Sequence, residues 1–420
     1  MSKKYLLIPY NLEHLDLDQF AILLTITDRH KNMKISHRIA SSRPLATTAM
    51  HGRVETMRSE GQAVIDFSIA ISHFPAPRAV LEAVAQAVDS HGAMPYTSVV
   101  GALGLREHLA AKLRAENGIE AAPNEIIVTN GAKQALYEAL YVLSDPGDTV
   151  LVFKPHWPAY VATAQLLGLR PLLAELPETI TPALLETLGK PDIVIINNPH
   201  NPTGKVYTRR ELEVLRAWVQ DIGATVIVDE SYEHLVFEGD HVSLASLGDW
   251  RDSGVVTIFS ASQSYAMMGW RVGFALAPAA VVEAMQTLQG PITAAAPHLS
   301  QVAARAAFGS GAPVAMMADY RQRRDLAVRL LSEPEWLELK APDSGPYLWC
   351  GIGRLTPDSI GFSEALLETM KVAVMPGDAL GVPGFVRLGY ISDDVATLRE
   401  GIRRMIEFGD ARPKCRSNKK

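Results

Sequence analysis

The sequence predicts an α/β protein, with a large lobe built on a mainly parallel, doubly wound sheet and a smaller α+β lobe. Two observations carry this. Short apolar runs without alternation, as expected of parallel strands covered on both faces, recur between residues 126 and 259. Stretches with helical spacing lie between them, and such alternation over about 150 residues is the pattern of a doubly wound domain.

Residues 1–34 read as an N-terminal extension, polar and charged, with short apolar patches around Leu6 and Ile22. The pattern turns globular at Ile35, and 35–75 are assigned to the smaller lobe. Helical spacing covers 78–90 and 105–117. The run 126–129 precedes a helix at 133–143, 149–153 precedes 159–167, and 193–197 precedes 209–220. The runs 225–229 and 255–259 complete the series. Helices near 279–288 and 298–308 close a large lobe of 76–310. Residues 311–408 mix helices with the short runs 347–350, 373–375 and 386–388, which predicts the smaller α+β lobe. A basic tail, 409–420, carries Lys414, Arg416, Lys419 and Lys420 and reads as solvated.

The chain has 420 residues, and 40 Lys+Arg against 46 Asp+Glu give a formal charge of −6. That balance offers no polyanion-binding field, so nucleic acid is not an expected partner. The two cysteines, Cys350 and Cys415, build no disulfide framework and lack zinc-ligand spacing. No apolar run reaches the ~20 residues of a membrane span, and no metal site is expected. The stretch 21–27 does not read as a signal peptide. A cytoplasmic protein is therefore expected.

Ligands of open α/β sheets bind beyond the carboxyl ends of the strands. Asn130-Gly131-Ala132-Lys133 follows the first run. Its amides, at the positive end of a helix dipole, suit a phosphate, and the segment also reads as a plain tight turn. Lys154-Pro155-His156-Trp157-Pro158 follows the second, where Trp157 suits stacking on a planar ring or packing in the core. Asn198-Pro199-His200-Asn201-Pro202-Thr203-Gly204 follows the third. Its prolines stiffen the backbone of Asn201, which presents an amide donor. Asp229 ends a run so apolar that its carboxylate needs a partner, such as a cationic cofactor nitrogen or a helix N-terminus to cap. Tyr232 comes three residues later. Beyond the last run, the Ser260 hydroxyl and Arg271 guanidinium suit a dianionic phosphate.

Taken in this order, Gly131-Ala132-Lys133, Trp157, Asn201-Pro-Thr-Gly, Asp229 with Tyr232, and Ser260 with Arg271 resemble the fold-type I, class I/II aminotransferases that use pyridoxal 5′-phosphate (PLP). The resemblance runs from about Ile35 to Phe408. It implies that Asp229 pairs with the pyridinium nitrogen, that Asn201 and Tyr232 bond the ring oxygen, and that Trp157 stacks on the ring. It further implies that Gly131, Ala132, Lys133, Ser260 and Arg271 hold the phosphate. Tyr96 matches the tyrosine that reaches a neighbouring subunit's phosphate, which implies a homodimer with shared sites. Arg387, in Val386-Arg387-Leu388, matches the arginine that receives the substrate α-carboxylate, which implies an α-amino or 2-oxo acid substrate.

The sequence departs from the pattern twice. The family's Schiff-base lysine stands three residues after the phosphate serine and eight before the phosphate arginine, and Gln263 occupies that position. An amide is neither a nucleophile nor a base near neutrality. Where the family carries a glycine-containing loop at the substrate carboxylate, this chain has Ala70-Ile71-Ser72-His73, so Ala70 crowds the substrate side. Three readings follow. One is a divergent enzyme holding PLP or pyridoxamine 5′-phosphate (PMP) non-covalently, with His73, His156 or Lys154 as its base. The others are a Lys→Gln variant of an ordinary aminotransferase and a non-catalytic ligand-binding relative. The reaction type and the amino acid are not encoded in these motifs.

Overall fold

The computed structural model describes residues 35–40, 42, 44–91, 94–310 and 313–412. The extension 1–34, Cys415 and the lysines and arginine of the basic tail lie outside the described residues. Residues 1–43 form one unit, in which the short helix His37–Ala40 is described. All that follows concerns the second unit, from Pro44 onward.

Thirteen strands are described among these residues. After β1 (Ile65–Asp66) come β2 (Ile126–Thr129), β3 (Thr149–Lys154), β4 (Arg170–Glu175), β5 (Ile193–Asn197), β6 (Thr225–Asp229), β7 (Val255–Ser260) and β8 (Gly273–Leu276). There follow β9 (Glu338–Leu339), β10 (Tyr347–Gly351), β11 (Val372–Ala373), β12 (Met375–Pro376) and β13 (Phe385–Gly389). A seven-stranded sheet has the order β2-β8-β7-β6-β5-β3-β4. Its pairs are parallel except where β8 runs antiparallel between β2 and β7. Strands β2, β3, β5, β6 and β7 therefore all end at one edge, the edge the sequence marked for ligands. A four-stranded sheet, β12-β13-β10-β9, is antiparallel, and β1 pairs in parallel with β11. The run expected at 373–375 is thus divided between two sheets.

The sheet is apolar because both faces are covered. Val194, Ile196, Val226 and Val228 enter one core with Leu212, Leu215 and Val219 of the helix Arg209–Ile222. Ile193, Ile195 and Ile227 enter another with Ala135, Leu136, Ala139 and Leu140 of the helix Ala132–Leu143. A further core gathers Tyr347, Leu348, Val386 and Leu388 of the smaller sheet with Leu398, Ile402 and Met405 of the helix Val395–Asp410. The helix Arg209–Ile222 starts with a capping box, Thr208 with Glu211, and stops at Gly223, whose φ is +72°.

Two buried devices hold the edge where the strands end. Lys112 Nζ donates at 2.6 Å to both carboxylate oxygens of Glu233, and Asn117 Nδ2 donates to Glu233 at 2.7 Å. This pins the segment after β6 to the helix Leu103–Lys112 and holds the Glu233 carboxyl down at about 2, against the opposing effect of burial. On the other side, Asn130 N and Nδ2 donate to Gln134 Oε1, and Gln134 Nε2 donates to Glu138 at 2.7 Å. This line steadies the turn after β2.

Burial pushes the Glu138 carboxyl up to about 7. A raised carboxyl pKa means that the folded state holds the proton more tightly, so the Glu138 contribution to stability is full below about 4.5 and is lost as pH rises through about 7. Glu138→Gln is expected to leave the melting temperature near wild type at pH 5. At pH 8 it should stabilise by about 1–3 kcal/mol, which thermal melts across that pH range would register.

Candidate active site

Asp229 is the last residue of β6 and is buried. Its Oδ1 accepts from Ser231 N at 3.0 Å and Ser231 Oγ at 2.6 Å, and its Oδ2 accepts from Tyr160 OH at 2.8 Å. Burial raises its pKa, while the Ser231 and Tyr160 hydrogen bonds act to lower it. Among the described residues no cation lies within ion-pair distance of it. Tyr160 sits one turn beyond Trp157, which precedes the helix Pro158–Leu166. The two rings meet edge to face, with centroids 5.4 Å apart.

Asn201 is brought to Asp229 through register. β5 and β6 align Asn197 with Asp229, and Asn197 Nδ2 donates to the Asp229 carbonyl at 2.9 Å while its Oδ1 accepts from Asn201 N at 2.7 Å. Asn201 Nδ2 then donates to Tyr232 OH at 3.2 Å, and Asn201 Oδ1 accepts from Arg387 Nη1 at 3.1 Å. Arg387 lies on β13 and is 1% exposed. Its Nη2 donates to the Ser68 carbonyl at 2.9 Å, and the guanidinium carbon stands 4.0 Å from the centre of the Tyr347 ring. Its Nε is buried without a partner, and among the described residues no carboxylate pairs with it.

A second group forms around the turn after β2. Gly131 has φ +83°, and a Cβ there would stand 2.7 Å from Arg271 Nη2. Arg271 donates to the Met268 carbonyl at 2.8 Å and the Asn130 carbonyl at 3.3 Å. A Cβ on Gly273 would lie 2.6 Å from the Phe259 carbonyl oxygen and 3.0 Å from Ala132 N, so β8 passes directly beneath the turn. Ser260, at the end of β7, accepts from Ser262 N at 3.1 Å. Lys133 Nζ stands 5.2 Å from the centre of the Trp157 ring. Burial, then the nearby Arg271 charge, lowers its pKa. Gly131, Lys133 and Arg271 thus come together, with Trp157 beside them.

Gln263 lies in the short helix Ala261–Ser264 after β7. Its Nε2 donates to the Ala70 carbonyl at 3.2 Å, and its Oε1 is buried without a partner. Ala70 is itself buried and offers its carbonyl to the site. Tyr96 is 97% exposed and joins none of these groups within the chain.

The residues proposed as bases each have partners within the chain. His73 Nδ1 donates to the Ile391 carbonyl at 3.0 Å, and its Nε2 faces Arg323 Nη2 at 3.2 Å and Asp319 at 3.6 Å, so both ring nitrogens are engaged away from the site. Lys154 ends β3, and its ammonium pairs with Glu175 of β4 at 2.8 Å. His156 Nδ1 donates to the Trp157 carbonyl at 3.1 Å, and burial lowers its pKa. Sequence reasoning missed Tyr160, Asn197 and Ser68. The one signal available was the position of Tyr160, three residues after Trp157 in the first turn of the helix that follows it.

Residues 62–405 match the family described as aminotransferase class I and II. The chain belongs to this family. It is 34% identical over 393 residues to the aspartate aminotransferase of Geobacillus stearothermophilus, covering 89% of this chain and 99% of that protein. It is 33% identical over 389 residues to the aspartate/prephenate aminotransferase of Thermus thermophilus, covering 89% and 97%. The solved Thermus thermophilus aspartate aminotransferase with maleate matches with a TM-score of 0.84 at 31% identity, covering 90% of this chain and 100% of that one. The fold is thus the fold-type I transferase fold, and membership implies PLP as cofactor. The residues present fit such a group. The Gly131–Arg271 contact forms a cradle that a Cβ would fill, Asp229 is a buried carboxylate without a cation, and Gln263 Oε1 awaits a donor.

Gly131→Ala should weaken binding of a phosphorylated cofactor at least about tenfold. The Cβ meets Arg271 at a positive φ that L residues rarely adopt. Fluorescence titration with PLP measures the loss, and a melt distinguishes it from unfolding.

Proposed function

We propose that this aminotransferase-family protein binds PLP or PMP without a covalent anchor and acts on an α-amino acid or 2-oxo acid. The observation that carries the substrate class is the Arg387 guanidinium, buried with an unpartnered Nε and no carboxylate beside it. A buried cation of this kind calls for an anion, and a substrate carboxylate supplies one.

Asp229 would hold the ring nitrogen, its charge steadied by Ser231 and Tyr160. Asn201 and Tyr232 would bond the ring oxygen, and Trp157 would cover one ring face. Gly131, Ala132, Lys133, Ser260 and Arg271 would bind the phosphate. When bound, the cofactor supplies an electron sink for charge developing at the substrate α-carbon. Arg387 orients the carboxylate, and Asn201, held by both Arg387 and Tyr232, relates that end of the substrate to the ring. The large lobe of 76–310 would carry the cofactor contacts, while 44–75 and 311–408, as the smaller lobe, would carry Ala70 and Arg387. The exposed Tyr96 favours a homodimer in which it serves the partner's site. A cytoplasmic location accords with this chemistry. Among the described residues no helix is long and apolar enough to cross a membrane.

The side chain at 263 neither takes up nor releases a proton near neutrality, so amino-group transfer is expected to be slow. Gln263→Lys should raise transamination between aspartate and 2-oxoglutarate by roughly 10²–10⁴-fold, the usual contribution of a positioned base. Equal rates in the two proteins would refute the assignment of position 263. The engaged state of His73 and Lys154 favours a second reading, a binding protein without turnover. That reading predicts ligand binding through Arg387 with no spectral change of the bound cofactor on addition of any amino acid. Arg387→Ala should weaken substrate binding at least about a hundredfold, because it removes a charge-assisted contact. Calorimetry on the cofactor-loaded protein would measure it.

A further inference from the structure

We infer that the pocket selects the amine form of the cofactor, PMP, over the aldehyde form, PLP, because Gln263 offers a buried acceptor that only a donor satisfies. This rests on the cofactor reading above and names which form the site is built for. The Gln263 carboxamide is oriented by one contact, the donation of Nε2 to the Ala70 carbonyl at 3.2 Å. Turned over, the amide would set Oε1 against that carbonyl, acceptor facing acceptor, so the Ala70 carbonyl decides its orientation.

That carbonyl is not free to move aside. Ala70 is buried, and Ser392 clamps its two neighbours: Ser392 Oγ donates to the Ile69 carbonyl at 3.0 Å and accepts from Ile71 N at 3.1 Å. The consequence is that Gln263 Oε1 is buried with no donor. Ser264 Oγ donates to the Ser231 carbonyl, Ser262 N donates to Ser260 Oγ, and Asn201 Nδ2 donates to Tyr232 OH. A buried oxygen left in this state is disfavoured until a donor arrives.

The same short segment ties Gln263 to the rest of the site. Ala70 accepts from Gln263, and Ser68, two residues before it, accepts from Arg387, which in turn donates to Asn201. The two forms of the cofactor differ at one substituent, the one that the lysine of the family meets. In PLP it is an aldehyde, which only accepts. In PMP it is an aminomethyl group, protonated near neutrality, which only donates. An acceptor at 263 satisfies the second and repels the first, whereas a lysine there would capture the first.

The test is equilibrium titration of cofactor-free protein with three ligands, followed by tryptophan fluorescence and calorimetry. The ligands are PMP, PLP and 4′-deoxypyridoxine phosphate, whose methyl group neither donates nor accepts. Wild type should bind PMP at least about tenfold more tightly than PLP, with the methyl analogue between them. Gln263→Leu, of similar size without Oε1, should bring the PMP and PLP affinities within about threefold, and Gln263→Ala provides a second variant should that one fold poorly. Equal or tighter binding of PLP by wild type overturns the inference, as does a PMP preference that survives in the folded variants. Failure of all three ligands to bind overturns the cofactor reading itself, a separate and recognisable result.

Discussion

A carboxylate buried at the end of the central strand β6 is the constraint around which this site is arranged. Asp229 cannot be left uncompensated in so apolar a setting, and the chain answers with Ser231 from the following turn and Tyr160 from the helix after β3. Parallel pairing then fixes what stands next to it. Because β5 aligns Asn197 with Asp229, Asn197 can hold both the Asp229 carbonyl and the backbone of Asn201. Asn201 in turn reaches Tyr232 and Arg387. A single register thus connects residues from both sheets, and the Lys112–Glu233 pair keeps the whole segment from shifting.

Most of the large sheet was legible in the sequence for one physical reason. β2, β3, β5, β6 and β7 are covered on both faces, so each reads as an unbroken apolar run. β4 was missed because it is an edge strand whose residues are all half-buried or exposed, so it forms no unbroken apolar run. β8, Gly273–Leu276, was also missed, although the close approach beneath the turn requires Gly273. The turn after β2 and Asp229 stood out as members of an ordered set of motifs, and Arg387 through the resemblance that set carries. Their supports did not: Tyr160, Asn197 and Ser68 act through hydrogen bonds that only register and loop packing create. The contacts of His73 and Lys154 were not legible either, because their partners, Ile391, Arg323 and Glu175, are distant in sequence.

Gln263 is built into the surrounding geometry. Ser260 and Arg271 flank it, Ala70 receives its amide, and the small helix Ala261–Ser264 is tied to Asp229 through the Ser264–Ser231 contact. In the proposed non-covalent reading, the side chain at 263 hydrogen-bonds and forms no bond to the cofactor. Retention of the cofactor would then fall to the ring and phosphate contacts, and proton transfer would lose its carrier.

The claim that binding is non-covalent is open to one direct measurement: borohydride reduction of the PLP-loaded protein, followed by intact mass and peptide mapping. Non-covalent binding predicts an unchanged protein mass while the absorption spectrum before reduction shows PLP bound. A mass increase of one reduced cofactor, mapped to Lys133 beside Arg271 or to any other lysine of the site, would contradict it and show that the anchor has moved.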